Sequence, residues 1–142
     1  PVAKAAKESV NRHPNKRHLV HFIQPHHPFV KSPGIIDYSN WDIRNIQNEG
    51  SIEGVRDPFE ALEKGLITYE EVWKAYQDNL EYVLEIAMDL AQYLPGKTII
   101  TSDHGNLMGE YLWPIPIRGF GHPPGIRHPA LTEVPWAVIK SS

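Results

Sequence analysis

Residues 68–102 carry the clearest structural signal in the chain and read TYEEVWKAYQDNLEYVLEIAMDLAQYLPGKTIITS. The first four letters form a capping box, in which a Thr and a Glu satisfy each other's backbone N–H groups where a helix begins. Apolar residues then recur at helical spacing, which predicts one long amphipathic helix over about 69–94, ended by Pro95-Gly96. The KTIITS that follows lacks polar alternation, so we expect a strand over 97–102 that is buried on both faces.

Two further segments predict strands on either side of this helix. RHLVHFI at 17–23 alternates between two faces, and WAVI at 136–139 is short and apolar. Strand, long helix, strand is the order of a βαβ unit. We therefore predict an α/β fold in which helices flank a largely buried sheet.

The remaining segments give weaker signals. Residues 2–11 favour a short helix, and Asp57-Pro58 begins another that Gly65 ends. Residues 31–56 and 105–133 are rich in Gly, Pro, Asn or Ser and are predicted to be loops.

Composition excludes several classes of protein. The chain has 142 residues, 41% of them hydrophobic, so it fits one globular domain and not a disordered chain. Its net charge of −3 argues against a nucleic-acid partner. It contains no cysteine, which excludes disulfides, thiolate metal sites and a cysteine nucleophile in this segment. No apolar run is long enough for a membrane span, so no membrane partner is expected.

The start of the chain bears on its completeness. No signal peptide is visible, and we favour a cytoplasmic location. The first residue is Pro1 and not methionine, so we expect the chain to be part of a longer protein.

Histidines supply the candidate chemistry. The chain has eight of them, in an early and a late group on either side of the long helix. A βαβ crossover returns the chain to the same edge of the sheet, and ligands of open α/β sheets bind outside the carboxyl ends of strands. We therefore expect loops 24–30 and 103–128 to meet there.

Asp103-His104 is the sharpest feature, because a carboxylate and a neutral imidazole on one loop suit a divalent cation such as Zn²⁺ or Mn²⁺. Gly105 would let the backbone turn sharply beside them. The alternative is that Asp103 caps the next element and His104 is merely exposed.

His26 and His122 are the candidate catalytic residues. Each lies in a rigid Pro/Gly frame, PHHP at 25–28 and GHP at 121–123. Such a histidine can contact an anionic oxygen or act as acid or base. The alternative is that both are ordinary turn residues.

Several ordered motifs resemble one family. TSDHGNLMGE at 101–110, with GHP at 121–123 and VPW at 134–136, resembles the C-terminal half of the sulfatase-like branch of the alkaline phosphatase superfamily. HFIQPHHPF at 21–29 is similar to its H-F-x-Q-P-H-x-P-F segment, and WKAYQDNL at 73–80 to its W-x-x-Y-x-x-N-L helix. The resemblance covers residues 17–140 and points to uncharacterised prokaryotic, especially archaeal, sulfatase-like proteins.

The resemblance implies a partial alkaline-phosphatase-like sheet and a metal-dependent site. Asp103 and His104 would be metal ligands, with the ion Zn, Mn, Ca or Mg, while His26 and His122 would contact the transferred group or the leaving oxygen. Two-metal members have a D-x-x-x-H pair near His26; Val30 stands four residues after His26, which favours one metal. The family's other carboxylates and its nucleophile come from an N-terminal strand, and no segment before residue 17 supplies them.

We therefore expect residues 1–142 to form the C-terminal portion of a hydrolase of sulfate or phosphate esters, with a small anionic ester as substrate. One alternative is a phosphoglycerate-mutase-like or phosphodiesterase-like enzyme, which a second metal ion ~4 Å from the first would indicate. Another is a non-catalytic α/β module that associates with itself or pairs with the missing N-terminal half.

Overall fold

A computed structural model of the chain describes residues 1–33, 35, 55 and 57–140. It divides into two compact units, Pro1–Met88 and Asp89–Ser142. In the described ranges the elements are, in order, α1 (Val2–Arg12), α2 (Pro58–Glu63), α3 (Tyr69–Tyr93), β1 (Lys97–Thr101), β2 (Leu107–Tyr111), β3 (Arg118–Gly121), α4 (Pro129–Thr132) and β4 (Trp136–Lys140). None of these helices combines the length and apolarity needed to cross a bilayer. The protein is thus a mixed α/β structure, and the predicted class is confirmed at that level.

The three helices that begin in the first unit confirm the sequence predictions. Asp57 caps α2, where its Oδ1 accepts the backbone N–H groups of Phe59 at 2.8 Å and Glu60 at 2.9 Å. The capping box of α3 forms as predicted. Thr68 donates its backbone N–H and its hydroxyl to Glu71 Oε2 at 2.8 Å, and the Glu71 N–H returns to Thr68 Oγ1 at 3.3 Å.

The predicted apolar stripe of α3 is only partly correct. Several residues at helical spacing are buried: Val72, Ala75, Asn79, Val83, Leu90 and Ala91. Trp73 and Leu84 are apolar residues of the same helix whose spacing also predicts burial, but both are exposed. Spacing identifies the helix and the centre of its buried face, whereas the width of that face depends on what packs against it.

The loop after residue 23 docks on α3 within the first unit. The ring of Phe29 is buried, and Asn79 of α3 is completely buried. The Lys31 backbone N–H donates to Asn79 Oδ1 at 3.3 Å, while Asn79 Nδ2 donates to the Ala75 carbonyl at 2.7 Å. Elsewhere in the unit, Val55 and Ala61 form a small core with Ile35 and Ile67.

The predicted strand at 17–23 is wrong. This segment has no regular secondary structure, and the side chain of Leu19 is 99% exposed. Side chains that alternate between two faces suit a strand. A strand forms, however, only where a neighbouring strand pairs with its backbone N–H and C=O groups. No described strand pairs with this segment. The predicted loop at 31–56 lies almost entirely outside the described residues.

The second unit contains two small antiparallel sheets in place of the predicted βαβ layer. β1 pairs with β4, so that Lys97 faces Lys140 and Thr101 faces Trp136. β2 pairs with β3 inside the region predicted to be a loop. The long helix is therefore followed by a strand, but it is not a crossover between two parallel strands among the described residues.

The prediction that β1 is buried on both faces is also wrong. Along β1, exposed residues alternate with half-buried ones. Ile99 faces Val138 across the sheet, and both are exposed together with Trp136. An apolar strand sequence shows that burial would be favourable, but the number of covering layers is set by the rest of the molecule.

Candidate functional site

The candidate site lies in the second unit, where the β1–β2 loop meets the end of β3. Asp103 and His104 follow β1 closely. Leu107 and Gly121 are paired residues of the antiparallel β2–β3 ladder. In such a ladder the residue before one strand faces the residue after the other. This register brings Asn106 opposite His122, although sixteen residues separate them in sequence.

Three side chains gather at this point. The His104 and His122 rings stack at a tilt of 37°, with 4.5 Å between their centroids. His104 Nε2 lies 3.8 Å from Asp103 Oδ2, and the Asp103 carboxylate also accepts the His104 backbone N–H at 3.0 Å. The side chains of Asp103 and His104 are 71% and 39% exposed, so a ligand can reach them from solvent. Three of the four predicted site residues are therefore brought together.

Gly105 holds this loop in place by allowing a close backbone approach. Its N–H donates to the Leu131 carbonyl of α4 at 3.0 Å. A Cβ at this position would lie 2.0 Å from the Ala130 carbonyl oxygen, so no side chain fits. α4 is itself capped by His128, whose Nδ1 accepts the Ala130 N–H at 3.1 Å. The close contact with the backbone of α4 thus explains why glycine is needed in the Asp-His-Gly motif. The sequence had suggested a different reason, a sharp turn of the backbone.

The hydrogen bond of His104 determines which of its ring nitrogens carries hydrogen. His104 Nδ1 is 2.8 Å from the Gly105 carbonyl oxygen, which can only accept. Nδ1 therefore carries the hydrogen, and in the neutral ring Nε2 carries the lone pair. That nitrogen lies 3.8 Å from Asp103 Oδ2. A carboxylate oxygen and an imidazole nitrogen can each bind a proton or a cation.

The donor set fits part of a metal site. An ion ~2.1 Å from each atom can contact both Asp103 Oδ2 and His104 Nε2, because two such bonds span up to ~4.2 Å. Oxygen from a carboxylate and nitrogen from imidazole are ligands that Zn²⁺ and Mn²⁺ accept. Among the described residues, however, no group of three or more histidine, cysteine, aspartate or glutamate side chains is placed to hold an ion. Further ligands would have to come from outside this group.

His26, the fourth predicted site residue, belongs to the first unit. It lies between the cis peptide bonds Gln24–Pro25 and His27–Pro28. Its ring stacks on His27 with 4.2 Å between centroids, and its Nδ1 contacts the His27 carbonyl. The His26 imidazole thus contacts both the ring and the backbone carbonyl of His27. The convergence of His26 with Asp103 stays a prediction.

Sequence reasoning missed Asn106 and the hairpin that positions it. The Gly and Pro content of residues 105–133 predicted a loop, but β2 tolerates Gly109 at φ +106°, where its ladder with β3 becomes irregular. Glu110 folds back, and its carboxylate accepts the Met108 N–H. The short apolar pair Leu107-Met108 followed by Gly-Glu was the only local sign of a bulged strand.

No protein-family model, curated protein or solved structure matches the chain. Its resemblance to the sulfatase-like branch therefore rests on the sequence motifs alone.

Proposed function

We propose that the chain is the C-terminal part of a metal-dependent hydrolase that acts on sulfate or phosphate esters. The strongest support is the distance of 3.8 Å between Asp103 Oδ2 and His104 Nε2. The Gly105 carbonyl accepts from His104 Nδ1, which leaves Nε2 as the nitrogen that can bind a cation beside the Asp103 carboxylate. A cation bound between them would contact one oxygen and one nitrogen, and a histidine metal ligand usually has its second nitrogen oriented in this way.

The chain's own residues have distinct roles in this proposal. Asp103 and His104 hold the ion, which when bound would stabilise negative charge on the ester group and activate the nucleophile. His122, stacked on His104, contacts an ester oxygen or the leaving group. The resemblance assigns the same role to His26. The remaining carboxylate ligands and the nucleophile come from the upstream half that the resemblance implies.

Metal binding by the 142-residue chain tests the first step. Isothermal titration with Zn²⁺ and Mn²⁺ should show weak binding, because two protein ligands are fewer than the three or four of a complete site. Asp103→Asn keeps the shape of the side chain and removes its charge, and it should weaken binding by at least ~10-fold. Asp89→Asn is the matched control, since Asp89 is an exposed carboxylate of the same unit.

The catalytic step is tested in the protein joined to its upstream half. Hydrolysis of p-nitrophenyl sulfate and p-nitrophenyl phosphate should require added metal and should be lost in Asp103→Asn and His104→Gln. Metal binding that is equally strong in Asp103→Asn would contradict the assignment of the ligand. Hydrolysis that persists in both variants would contradict the assignment of the site.

A second candidate function is a non-catalytic assembly module. The observation that favours it is the exposed apolar face of the β1–β4 sheet, formed by Ile99, Val138 and Trp136. Apolar sheet faces of this kind promote association. Absence of both metal binding and hydrolysis, together with concentration-dependent association, would favour this second function over the first.

A further inference from the structure

We propose that Asn106 is a positioning residue that holds His122 in the tautomer with hydrogen on Nδ1, so that Nε2 is the reacting nitrogen. The two residues meet at the end of the β2–β3 ladder, where Asn106 Oδ1 lies 3.0 Å from His122 Nδ1. An amide oxygen accepts hydrogen bonds and donates none. The hydrogen of this contact therefore belongs to the imidazole.

The backbone fixes the position from which Asn106 makes this contact. Leu107, which follows Asn106, pairs with Gly121, which precedes His122, and Leu107 is fully buried. Gly119 allows that burial, because a Cβ there would lie 2.7 Å from Leu107 Cδ1. Asn106 thus extends from an anchored strand end, and rigid elements position a side chain more precisely than a free loop does.

His104 and His122 then share one arrangement. In His104 the hydrogen on Nδ1 is bonded to the Gly105 carbonyl, and in His122 it is bonded to the amide of Asn106. Both stacked rings consequently keep their lone pair on Nε2. A histidine that binds a cation or exchanges a proton through Nε2 is usually held in this way by a partner on its other nitrogen.

The consequence for activity rests on the proposed hydrolase. Because Nδ1 of His122 is bonded to Asn106, His122 meets the ester or its leaving group through Nε2. Without Asn106 the neutral ring distributes its hydrogen between both nitrogens. A fraction of the molecules then presents the wrong nitrogen, and the orientation of the ring is less restricted.

The test is the tautomer of His122 in the 142-residue chain, read from long-range ¹H–¹⁵N correlation NMR with ¹⁵N-labelled histidine. Spectra are recorded at about pH 8.5, above the ordinary titration range of histidine, without metal or substrate. We expect hydrogen on Nδ1 in both His104 and His122. In Asn106→Ala, His122 should shift to the Nε2–H form that predominates in free histidine, while His104 stays unchanged as an internal control.

Two further variants sharpen the result. Asn106→Asp retains an acceptor and should keep hydrogen on Nδ1 of His122. Asn15→Ala removes an exposed asparagine of the first unit and should change neither ring. Hydrogen on Nε2 of His122 in the wild-type chain overturns the proposal, and so does an unchanged tautomer in a folded Asn106→Ala variant. If Asn106→Ala does not fold, the wild-type and Asn106→Asp spectra decide.

Activity provides a separate readout in the protein joined to its upstream half. Asn106→Ala should lower kcat by ~10–100-fold, the usual effect of removing the partner of an active-site histidine, and Asn106→Asp should restore part of it. An inactive wild-type protein would contradict the proposed function but leave the tautomer result standing. A wild-type His122 with hydrogen on Nε2 in an active enzyme would contradict only the role of Asn106.

Discussion

The amide of Asn79 accepts the backbone N–H of Lys31 at 3.3 Å across 48 residues of sequence. The same side chain donates to the Ala75 carbonyl at 2.7 Å and is completely buried. One polar residue thus joins the middle of the long helix to the Pro-rich loop that carries His26. The position of that loop depends on a buried hydrogen bond as well as on the packing of Phe29.

Replacement of Asn79 should destabilise the first unit. Asn79→Ala leaves the Lys31 N–H without its acceptor and opens a cavity, at a cost of about 2–3 kcal/mol in the free energy of unfolding. Urea denaturation measures this cost, and hydrogen exchange at the Lys31 amide should become faster. Gln77→Ala changes an exposed residue of the same helix and should alter neither quantity. Unchanged exchange at Lys31 in Asn79→Ala would show that the bond does not hold the loop.

A side chain at Gly105 should disrupt the second unit. In Gly105→Ala the new Cβ would lie 2.0 Å from a backbone oxygen of α4, and backbone cannot move aside as a flexible side chain does. We expect a loss of about 3 kcal/mol or more, at or above the upper end for overpacking.

Gly125→Ala is the comparison for this substitution. Gly125 has open space around it and only a φ of +79° to penalise alanine, which costs ~1–2 kcal/mol. Chemical denaturation of both variants should rank Gly105→Ala as clearly the worse. Equal losses would show that the loop and α4 are not in such close contact.

The capping box of α3 should make stability depend on pH in the acidic range. The backbone N–H and then the hydroxyl of Thr68 stabilise the Glu71 carboxylate, which lowers the pKa of Glu71 from its ordinary value of 4.5. A lowered pKa in the folded state adds stability above pH 4.5, and this stability is lost as the pH falls through the folded value.

Glu71→Gln tests this dependence because the amide oxygen still accepts from Thr68 but does not ionise. Thermal melts in steps from neutral to acidic pH should fall less steeply for Glu71→Gln than for the wild-type chain. Glu70→Gln changes the neighbouring carboxyl of the same turn and should leave the slope nearly as it is in the wild-type chain. Parallel slopes for Glu71→Gln and the wild-type chain would contradict the role of the box.

The exposed face of the β1–β4 sheet should promote association of the isolated chain. We expect light scattering to show a mass that rises with concentration, because Val138 and Trp136 are 46% and 66% exposed beside Ile99. Val138→Lys places a charge on this face and should shift the mass toward that of a monomer. Gln92→Lys adds the same charge at an exposed residue of the same unit outside the sheet and serves as the control. A sharply melting monomer at all concentrations would show that the segment is a self-sufficient domain and not half of a hydrolase fold.

Local patterns in the chain predicted its helices well. Helix signals act over three or four residues, so they can be recognised without the rest of the molecule. Examples are the capping box at Thr68, the cap at Asp57 and the spacing of apolar residues in α3. Asp103, His104 and His122 could also be singled out as candidates, because their residue types and Pro/Gly neighbours carry chemical meaning by themselves.

Strand pairing could not be predicted in the same way. KTIITS was correctly predicted to be extended, but its antiparallel partner β4 lies beyond a hairpin and a short helix. The number of faces it buries depends on these remote segments. Similarly, Asn106 acquires its contact with His122 only when Leu107 pairs with Gly121. Hydrogen bonds between strands join residues that are far apart in sequence. The local spacing of apolar residues therefore does not determine a strand's partner, its register or the layer that covers it.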